Sequence, residues 1–300
     1  MKTSSLGDVV HHCPAVSDAA RAIPGAAIDW VVEEPFAAVA AMHPAVRRVI
    51  PVAVRRWRRA WWRPGVRAEL GAFRRALAAE RYDAVIDAQG LIKSALIARY
   101  AEGRRHGMDR RSAREPLAAL FYDVRHAVPR GAHAVERNRQ LTAAALGTAL
   151  GPRVDYGLNG PGGEAKDAVV FLTMTSRADK LWPEERWVEL GRALARPVLL
   201  PWGSEAERAR AERIAAALPD ASVPKRMTLD QLACLFAGAW AVVGLDTGLT
   251  HLAAAVGART TGIYCGSDPA LTGLYGATLA RNVGAPGRPP EASEVLETLR

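Results

Sequence analysis

The stretch AVVGLDTGLTHLAAAVG, residues 241–257, decides how the rest of the sequence is interpreted. Its first five residues predict a short buried strand, the next three, Asp246-Thr247-Gly248, a tight turn, and the remainder a helix that ends at glycine. Asp246 and Thr247 stand where N-cap residues are expected. The backbone N–H groups of such a turn and the positive end of the helix dipole suit an anion, phosphate above all. The stretch therefore predicts a phosphate site or a plain helix cap, since strand–cap–helix units are common.

Strand and helix signals alternate along the rest of the chain, which predicts an α/β protein with two doubly wound domains. A Gly- and Pro-rich stretch without periodicity, residues 151–167, marks the boundary between them. The first domain is expected at residues 1–155 and the second at residues 156–290. A terminal helix over residues 291–300 is expected to pack back on the first domain.

The chain opens on MKTSSLGD, residues 1–8, which has the Ser and Gly content of a loop between a strand and a helix. No apolar run precedes Lys2, so the strand that such a loop needs is missing. A doubly wound domain has this strand at its centre, and its loss would leave backbone groups unpaired on its neighbours. Either the start lies upstream of Met1, which we favour, or the protein lacks a central strand.

Composition bounds the class of protein. The chain has 300 residues, of which 49% are hydrophobic, enough for the cores of two domains. No apolar run reaches the roughly 18 residues needed to span a bilayer, and no signal peptide is evident. Cysteines at 13, 234 and 265 are odd in number and far apart, so neither a disulfide framework nor a zinc site is predicted. A reducing cytoplasm is the expected compartment.

The positive charge belongs to the first half. Residues 1–150 carry 24 Lys and Arg against 14 Asp and Glu, a net charge of +10, and residues 151–300 carry 16 against 17, a net charge of −1. Arginines alternate with tryptophans in RRWRRAWWRPGVR, residues 55–67, and residues 106–116 are expected to form a basic loop. The Arg/Trp stretch predicts a surface that binds an anionic partner, nucleic acid or phosphorylated lipid at a membrane, or else a solvated basic helix whose tryptophans pack inward.

Several motifs, taken together and in order, resemble those of the bacterial lipopolysaccharide heptosyltransferases, glycosyltransferase family 9, over nearly the whole chain. The first-half motifs favour the members that add the first heptose rather than the second. The resemblance implies a GT-B fold, in which two Rossmann-like domains face a central cleft. The motifs are KTSSLGD at 2–8, DWVVEE at 29–34, RRWR at 55–58, YDAVIDAQGL at 82–91, HGMD at 106–109, AREPL at 113–117, DKLWPEERW at 179–187, PWG at 201–203 and DTGLTHL at 246–252.

The resemblance also implies an activity. The donor is expected to be ADP-L-glycero-β-D-manno-heptose and the acceptor Kdo2-lipid A, with inversion at the anomeric carbon, in biosynthesis of the lipopolysaccharide inner core. The protein is then expected on the cytoplasmic face of the inner membrane, as a peripheral protein without a nucleic-acid partner. No cofactor is implied, and no Asp-x-Asp pair offers ligands for a metal at the diphosphate.

Inversion needs a general base at the acceptor hydroxyl and stabilisation of the leaving ADP. By resemblance Asp8 is the base and Lys180 the cation at the diphosphate, although a lysine before a helix is also an ordinary surface residue. Donor binding is expected from Thr175, Lys180, Glu207, Met227, Asp246, Thr247, Gly248 and His251, and acceptor binding from Ser5, Arg55, Arg56, Arg58, Lys93 and Arg114.

Within the donor set, the resemblance implies a hydroxyl contact for Glu207 and the adenine pocket for Met227. Backbone N–H groups of Thr247 and Gly248 are expected at the phosphates. Asp246 and His251 are expected to face the heptose or to order the turn, although His251 is also interpretable as a packed helix residue.

One loop departs from the family pattern. Residues 265–267 read Cys-Gly-Ser where relatives usually have Gly-Pro-Thr, so this loop is expected to shape the diphosphate site differently. Two other functions stay open: a sister heptosyltransferase with a different core acceptor, and a protein that binds anionic lipid or nucleic acid through the Arg/Trp stretch without catalysis.

Overall fold

The chain folds into two compact units, Met1–Gly157 and Leu158–Arg300. The division falls inside the Gly- and Pro-rich stretch, close to the predicted boundary after residue 155. Three residues of that stretch, Asn159, Pro161 and Glu164, lie outside the described part of the structure. The structure is a computed structural model, and it describes residues 1–158, 160, 162, 163 and 165–300.

The first unit is built from parallel strands and from helices that follow them along the chain. Its hydrophobic side chains are buried between strands and helices, as in Val31, Phe73 and Leu77. The strands are β1 Ile28–Glu33, β2 Val46–Val52, β3 Arg81–Asp87, β4 Glu102–Met108 and β5 Val124–His126; the helices are α1 Leu6–Val10, α2 Cys13–Ala22, α3 Ala37–Ala41, α4 Val54–Ala60, α5 Pro64–Ala78, α6 Ile92–Ala98 and α7 Ala134–Leu146.

The strands of the first unit form two sheets, β1–β2 and β3–β4–β5, in which every pair is parallel. The first three residues of the chain lie between them. The carbonyl of Met1 accepts the N–H of Ala88 at 3.0 Å, and the carbonyl of Thr3 accepts the N–H of Glu33 at 3.0 Å. Met1–Thr3 therefore occupies the place of the expected first strand, over only the part of β1 and β3 that is nearest to their carboxyl ends.

The second unit contains one parallel sheet with the strand order β11-β10-β9-β6-β7-β8. Trp182, Trp187 and Phe171 are fully buried in its core. The strands are β6 Val169–Leu172, β7 Val198–Leu199, β8 Ala221–Ser222, β9 Ala241–Leu245, β10 Thr260–Tyr264 and β11 Ala280–Gly284; the helices are α8 Glu184–Leu194, α9 Glu205–Ala216, α10 Leu229–Gly238, α11 Gly248–Ala255, α12 Pro269–Thr272 and α13 Ala292–Glu297.

One expectation from the sequence differs from the structure. Residues 106–108, expected in a loop, end strand β4. Gly107 leaves room there for a large neighbour, since a Cβ on it would lie 2.2 Å from the ring of Tyr122. The terminal helix α13 packs against α8 within the second unit. Val295 and Leu299 are buried in that unit's core, which explains the placement.

Within the described residues, no helix is both long and apolar enough to cross a membrane.

Candidate active site

The loops after β6 and β9 diverge at the centre of the second sheet. From β6 the chain runs outward through β7 and β8, and then returns to the other side of β6 to form β9, β10 and β11. In open α/β sheets such a reversal opens a crevice at the carboxyl ends of the two strands, and ligands bind there. Lys180 lies in the loop after β6, and Asp246 directly follows β9. Lys180 and Asp246, which were both predicted to bind the donor, therefore lie at the switch point of the sheet.

Asp246 holds a partly buried group of polar side chains together. Its Oδ2 accepts hydrogen bonds from Lys180 Nζ and from Ser267 Oγ, each at 2.5 Å, and its Oδ1 lies 3.4 Å from His251 Nε2. Burial alone would raise the pKa of Asp246, but the hydrogen bonds from His251, Lys180 and Ser267 outweigh it and hold that pKa well below its usual range. Lys180 is thus a fixed cation at the switch point and not an ordinary surface lysine.

The turn between β9 and α11 leaves backbone donors available for an anion. Thr247 is the N-cap of α11, but among the described residues its side chain makes no capping hydrogen bond. Its hydroxyl instead lies 3.3 Å from that of Thr250, which donates to the carbonyl of Leu245 at 2.6 Å. This close packing needs Gly244, where a Cβ would lie 2.3 Å from Thr250 Oγ1. The first N–H groups of a helix have no intrahelical acceptor, so those from Gly248 onward can bind phosphate oxygens.

The loop after β10, which was expected to shape the diphosphate site, contributes Ser267 to this group, a residue that was not among the predicted site residues. Ser267 donates to Asp246, and Gly266 packs closely on the loop after β6: a Cβ there would lie 2.7 Å from the carbonyl oxygen of Asp179. The signal was present, since Cys-Gly-Ser follows a strand that neighbours β9 and departs from the family pattern. Ser267 stands where the family pattern has threonine, so a hydroxyl that can donate to Asp246 is kept despite the departure.

The other predicted donor residues also lie in the second unit. Thr175 is half-buried in the loop after β6. Glu207 Oε2 accepts the N–H of Gly203 at 2.7 Å, which ties the first turn of α9 to the PWG loop. Met227 lines a cavity of about 570 Å³ together with aliphatic parts of Lys225, Arg226 and Leu235. A sulfur-containing side chain in such a cavity suits a flat aromatic base.

In the first unit, Asp8 lies in the first turn of α1. Its Oδ2 accepts the N–H of Ser5 at 2.9 Å. Lys2 Nζ lies 3.5 Å from Oδ1, and Arg114 Nη1 lies 3.6 Å from Oδ2. The structure thus brings together three predicted site residues, Asp8, Ser5 and Arg114, and adds Lys2 to them. The carboxylate is about one-quarter exposed, so it is open to a substrate hydroxyl.

Buried polar side chains fix the loop that carries Asp8. Gln89 Oε1 accepts the N–H groups of Thr3 at 2.9 Å and of Ser4 at 3.2 Å. Lys2 donates to the carbonyl of Ala88 at 2.9 Å and to Asn138 Oδ1 at 3.4 Å. Burial lowers the pKa of Lys2, and the nearby Asp8 opposes that shift. Gln89, Lys2 and Asn138 were not predicted as site residues, although Gln89 lies within the motif YDAVIDAQGL that the sequence analysis quoted.

The three predicted arginines of α4 are exposed, but they are not equivalent. Arg56 forms ion pairs with Glu34 at 2.6 Å and with Glu69 at 2.7 Å. Arg55 and Arg58 form no ion pair with any residue that the structure describes. Hydrogen bonds to Glu69 and Glu34 raise the pKa of Arg56. Arg56 is therefore committed to holding α4 in place, and the two others are left for an anionic ligand.

The charges of Lys93 and Arg55 both act on the buried carboxylate of Glu33, which the sequence analysis did not propose as a site residue. Glu33 ends β1 and is nearly fully buried. Burial raises its pKa, and the charges of Lys93 and Arg55 oppose that shift. Its Oε1 has no hydrogen-bond partner among the described residues. Glu33 therefore presents a carboxylate oxygen beside two cations of the predicted acceptor set.

Comparison with known proteins decides the family. The model of glycosyltransferase family 9 (heptosyltransferase) matches residues 70–295. The chain belongs to glycosyltransferase family 9. Lipopolysaccharide heptosyltransferase 1 of Escherichia coli strain K12 is 50% identical over 92% of this chain and 90% of its own length. The protein of the same name from Pseudomonas aeruginosa is also 50% identical, over 92% of this chain and 80% of its own length.

Solved structures of family 9 members agree. The structure titled E. coli heptosyltransferase WaaC with ADP superposes with a TM-score of 0.92 at 47% identity, covering 99% of this chain and 96% of that one. E. coli ADP-heptose lps heptosyltransferase II, at 23% identity, has the same fold with a TM-score of 0.74. The predicted GT-B, α/β fold is confirmed, and so is the resemblance on which it rested. Within the described residues, no group of three His, Cys, Asp or Glu side chains is placed to hold a metal ion.

Proposed function

We propose that this family 9 enzyme transfers L-glycero-D-manno-heptose from ADP-L-glycero-β-D-manno-heptose to Kdo2-lipid A. One observation carries the proposal: Lys180, Asp246, Ser267 and His251 form a single hydrogen-bonded group beside the N-terminus of α11, in a chain 50% identical to lipopolysaccharide heptosyltransferase 1. WaaC, similar over nearly the whole chain, has been solved with ADP and with ADP-2-deoxy-2-fluoro heptose.

On the donor side, the leaving ADP develops negative charge as its bond to the anomeric carbon breaks. Lys180 and the first N–H groups of α11 supply positive charge for it, and they are already oriented before the reaction. Asp246 and His251 order this group, and Met227 lines the cavity that suits the adenine. Because the cation is a side chain, we propose that the diphosphate needs no divalent metal. Activity that persists at full rate in excess chelator would support this, and activity that returns only with added magnesium would oppose it.

On the acceptor side, Asp8 accepts the proton of the attacking hydroxyl. The new C–O bond forms on the face opposite to the departing diphosphate, which inverts the anomeric carbon, and the products are heptosylated lipid, ADP and a proton. Arg114 and Lys2 balance the charge of Asp8 at 3.6 and 3.5 Å. Arg55, Arg58 and Lys93 are left to bind the anionic groups of the acceptor.

We also propose that the first unit rests on the inner membrane through the segment after α4. Trp61 and Trp62 expose 66% and 58% of their surface. Beside them an apolar groove of about 330 Å³ is lined by Trp57, Leu70 and Leu96 and bordered by arginines at 58, 67 and 74. Exposed tryptophans, an apolar groove and a basic rim are the features of a surface that binds at a lipid–water boundary. The acceptor's acyl chains are a suitable occupant of this groove.

Cosedimentation with vesicles tests the membrane proposal. Replacing Trp61 and Trp62 with Ser should weaken binding to anionic vesicles about tenfold or more, because each buried indole contributes more than 1 kcal/mol. The matched control replaces two exposed leucines of the second unit, Leu271 and Leu279, with Ser and should leave binding unchanged. Equal binding of both variants would remove the tryptophans from the membrane surface.

Isothermal titration calorimetry tests the donor proposal. ADP-heptose and ADP should both bind, and UDP-sugars should bind far more weakly, because the site is proposed to select the base as well as the diphosphate. Affinity for neither nucleotide, combined with binding of nucleic acid that falls steeply with salt, would favour the non-catalytic alternative. Normal ADP-heptose affinity with no turnover on Kdo2-lipid A would favour a sister enzyme with another core acceptor.

A further inference from the structure

The 3-10 segment Pro116–Phe121 of the first unit has the reverse of the usual amphipathic pattern. Its small residues face inward, since Ala118 and Ala119 are buried in a cluster with α6. Its large residues face outward, since Leu117 and Leu120 expose 56% and 52% of their surface. A 3-10 helix repeats at every third residue, so the two leucines lie on one side of the segment. Burial stabilises leucine more than alanine, and folding alone therefore does not explain this arrangement.

Exposed apolar side chains continue from this segment across α6 to the end of α4. Leu96 of α6 lines the apolar groove together with Trp57, while α6 itself packs against the 3-10 segment. Within the described residues ten large hydrophobic side chains are exposed, and six of them lie at these three elements: Trp61, Trp62, Leu96, Tyr100, Leu117 and Leu120. A concentration of exposed apolar side chains marks a binding surface, whereas single ones do not.

Arginines without acidic partners flank the two leucines. Arg110, Arg111 and Arg125 are exposed and form no ion pair with any residue that the structure describes. Arg125 contacts the 3-10 segment itself, because its Nε donates to the carbonyl of Ala119 at 2.8 Å. Long basic side chains beside exposed apolar ones suit a partner that is apolar inside and anionic at its surface.

The acidic residues near the segment do not neutralise these arginines. Asp109 and Glu115 accept backbone N–H groups, and Asp123 pairs with Arg105 at 2.6 Å. The charge around the two leucines is therefore positive, in keeping with the net charge of the first half of the chain. An anionic surface complements it.

We propose that Leu117 and Leu120 insert into an anionic phospholipid bilayer as a second membrane contact of the first unit, in addition to Trp61 and Trp62. This inference rests on the membrane surface proposed above. A second copy of the chain fits this face less well, because it would bring its own unpaired arginines against those already there, and like charges across an interface are unfavourable.

Two membrane contacts fix the orientation of the unit, which a single contact leaves free. Arg114 lies just before the 3-10 segment, and its Nη1 is 3.6 Å from Oδ2 of Asp8. Insertion of the leucines therefore holds Arg114 and the proposed base Asp8 beside the headgroup layer, where the sugar of a lipid acceptor lies. The leucines should then matter only for an acceptor that is embedded in a membrane.

Steady-state kinetics with two forms of the acceptor test this proposal: Kdo2-lipid A in anionic phospholipid vesicles, and the same molecule with its acyl chains removed. Leu117→Ser combined with Leu120→Ser should raise the KM for the embedded acceptor about tenfold, because two partly buried leucines are lost. The kcat, and the KM for the water-soluble acceptor, should stay unchanged. Leu117→Phe combined with Leu120→Phe keeps the face apolar and should keep the wild-type KM for both acceptors.

The matched control is Ile23→Ser combined with Leu150→Ser. It removes two exposed apolar side chains of the same unit that belong neither to α4, α6 nor the 3-10 segment, and it should leave both KM values unchanged. An equal rise in KM for both acceptors in the Leu117/Leu120 serine variant would overturn the proposal, because it would indicate a distorted acceptor site. An unchanged KM for the embedded acceptor would overturn it as well.

Cosedimentation with acceptor-free vesicles of phosphatidylglycerol and phosphatidylethanolamine separates this inference from the proposed reaction. The serine variant should bind them about tenfold more weakly than the wild type. If the wild type turns over neither acceptor but its vesicle binding depends on the leucines, the transfer reaction is rejected and the membrane contact is supported. Equal vesicle binding by the two proteins would overturn the inference. So would a wild-type oligomer that the serine variant does not form, since that assigns the face to another copy of the chain.

Discussion

At the scale of single residues, Asp246 is the residue that holds the donor group together. One buried carboxylate receives a lysine from the loop after β6, a serine from the loop after β10 and a histidine from α11. Lys180 and Ser267 come from other loops and meet Asp246 because parallel strands end at one edge of the sheet, whereas His251 follows Asp246 on the same turn and helix. Asp246 therefore sets the position of Lys180 before any nucleotide binds.

Lys180→Ala should weaken ADP binding and lower kcat together, kcat by about 100-fold, because the variant loses a pre-positioned cation at the leaving group. Calorimetry and initial rates measure the two effects. Lys166→Ala removes an exposed lysine from the same unit and serves as the control. If Lys180→Ala binds ADP and turns over at the level of the control, the diphosphate role is rejected.

Asp8→Asn keeps the shape of the side chain and its capping function but removes the base. We expect kcat to fall by about 10² to 10⁴, with little change in the dissociation constant of ADP-heptose. Asn can still accept the N–H of Ser5 through its side-chain oxygen, so the start of α1 should be kept. Near-normal turnover in a stably folded variant would mean that Asp8 serves only as a cap.

At the scale of elements, the sequence predicted best where pattern and local chemistry agree. The strand at 241–245 was predicted with the observed bounds, because it is apolar along its length and ends in a turn. β4 was not predicted, because EGRRHGM contains two arginines and two glycines and does not have the pattern of a buried strand. Only the folded structure explains the glycines, since Tyr82 and Tyr122 pack against them. The separate two-stranded sheet of β1 and β2 could not be predicted either, because the local sequence does not specify which strands pair.

In the candidate site as well, residues marked by a local sequence signal were predicted, and residues that act through contacts across the fold were not. Asp246 and Thr247 were selectable because a turn between strand and helix is a local signal, and Lys180 was selected through the resemblance of its motif to the family. Ser267 and Lys2 were not, because each acts through a contact across the fold: Ser267 with Asp246 and Lys2 with Asp8.

Replacing different arginines of helix α4 with Ala is expected to have different effects on acceptor binding and stability. Replacing Arg55 and Arg58 with Ala should raise the KM for the acceptor about tenfold and leave ADP-heptose affinity unchanged, since each exposed charge contributes about 1 kcal/mol or less. Replacing Arg75 and Arg99 with Ala removes the same charge from other exposed positions of the first half and controls for net charge. An equal rise in both double variants would indicate a diffuse charge effect instead of a site on α4.

Arg56→Ala should act differently from its neighbours. It breaks the ion pairs with Glu34 and Glu69, so it should lower thermal stability slightly as well as acceptor affinity. Both carboxylates are well exposed, so the loss of stability should be small. Denaturant unfolding measures it, and Arg55→Ala, whose residue has no ion pair among those described, should show no such loss.

At the scale of the whole molecule, the charge divides with the chain: +10 in residues 1–150 and −1 in residues 151–300. Raising the ionic strength should therefore raise the KM for the anionic lipid acceptor more steeply than it weakens ADP-heptose binding, because exposed charges are screened and a buried group such as Lys180 with Asp246 is screened less. Parallel salt titrations of the two substrates measure this. Equal salt dependence would contradict the assignment of the acceptor to the basic half.

The central claim is that this protein transfers heptose from ADP-heptose to Kdo2-lipid A, and the most direct test is mass spectrometry of the lipid after incubation with both substrates. The account predicts that Kdo2-lipid A gains the mass of one heptose unit, with one ADP released for each lipid modified, and that Asp8→Asn under the same conditions yields almost none. Release of ADP without any gain in lipid mass, or an unchanged lipid when the donor is bound, would contradict it.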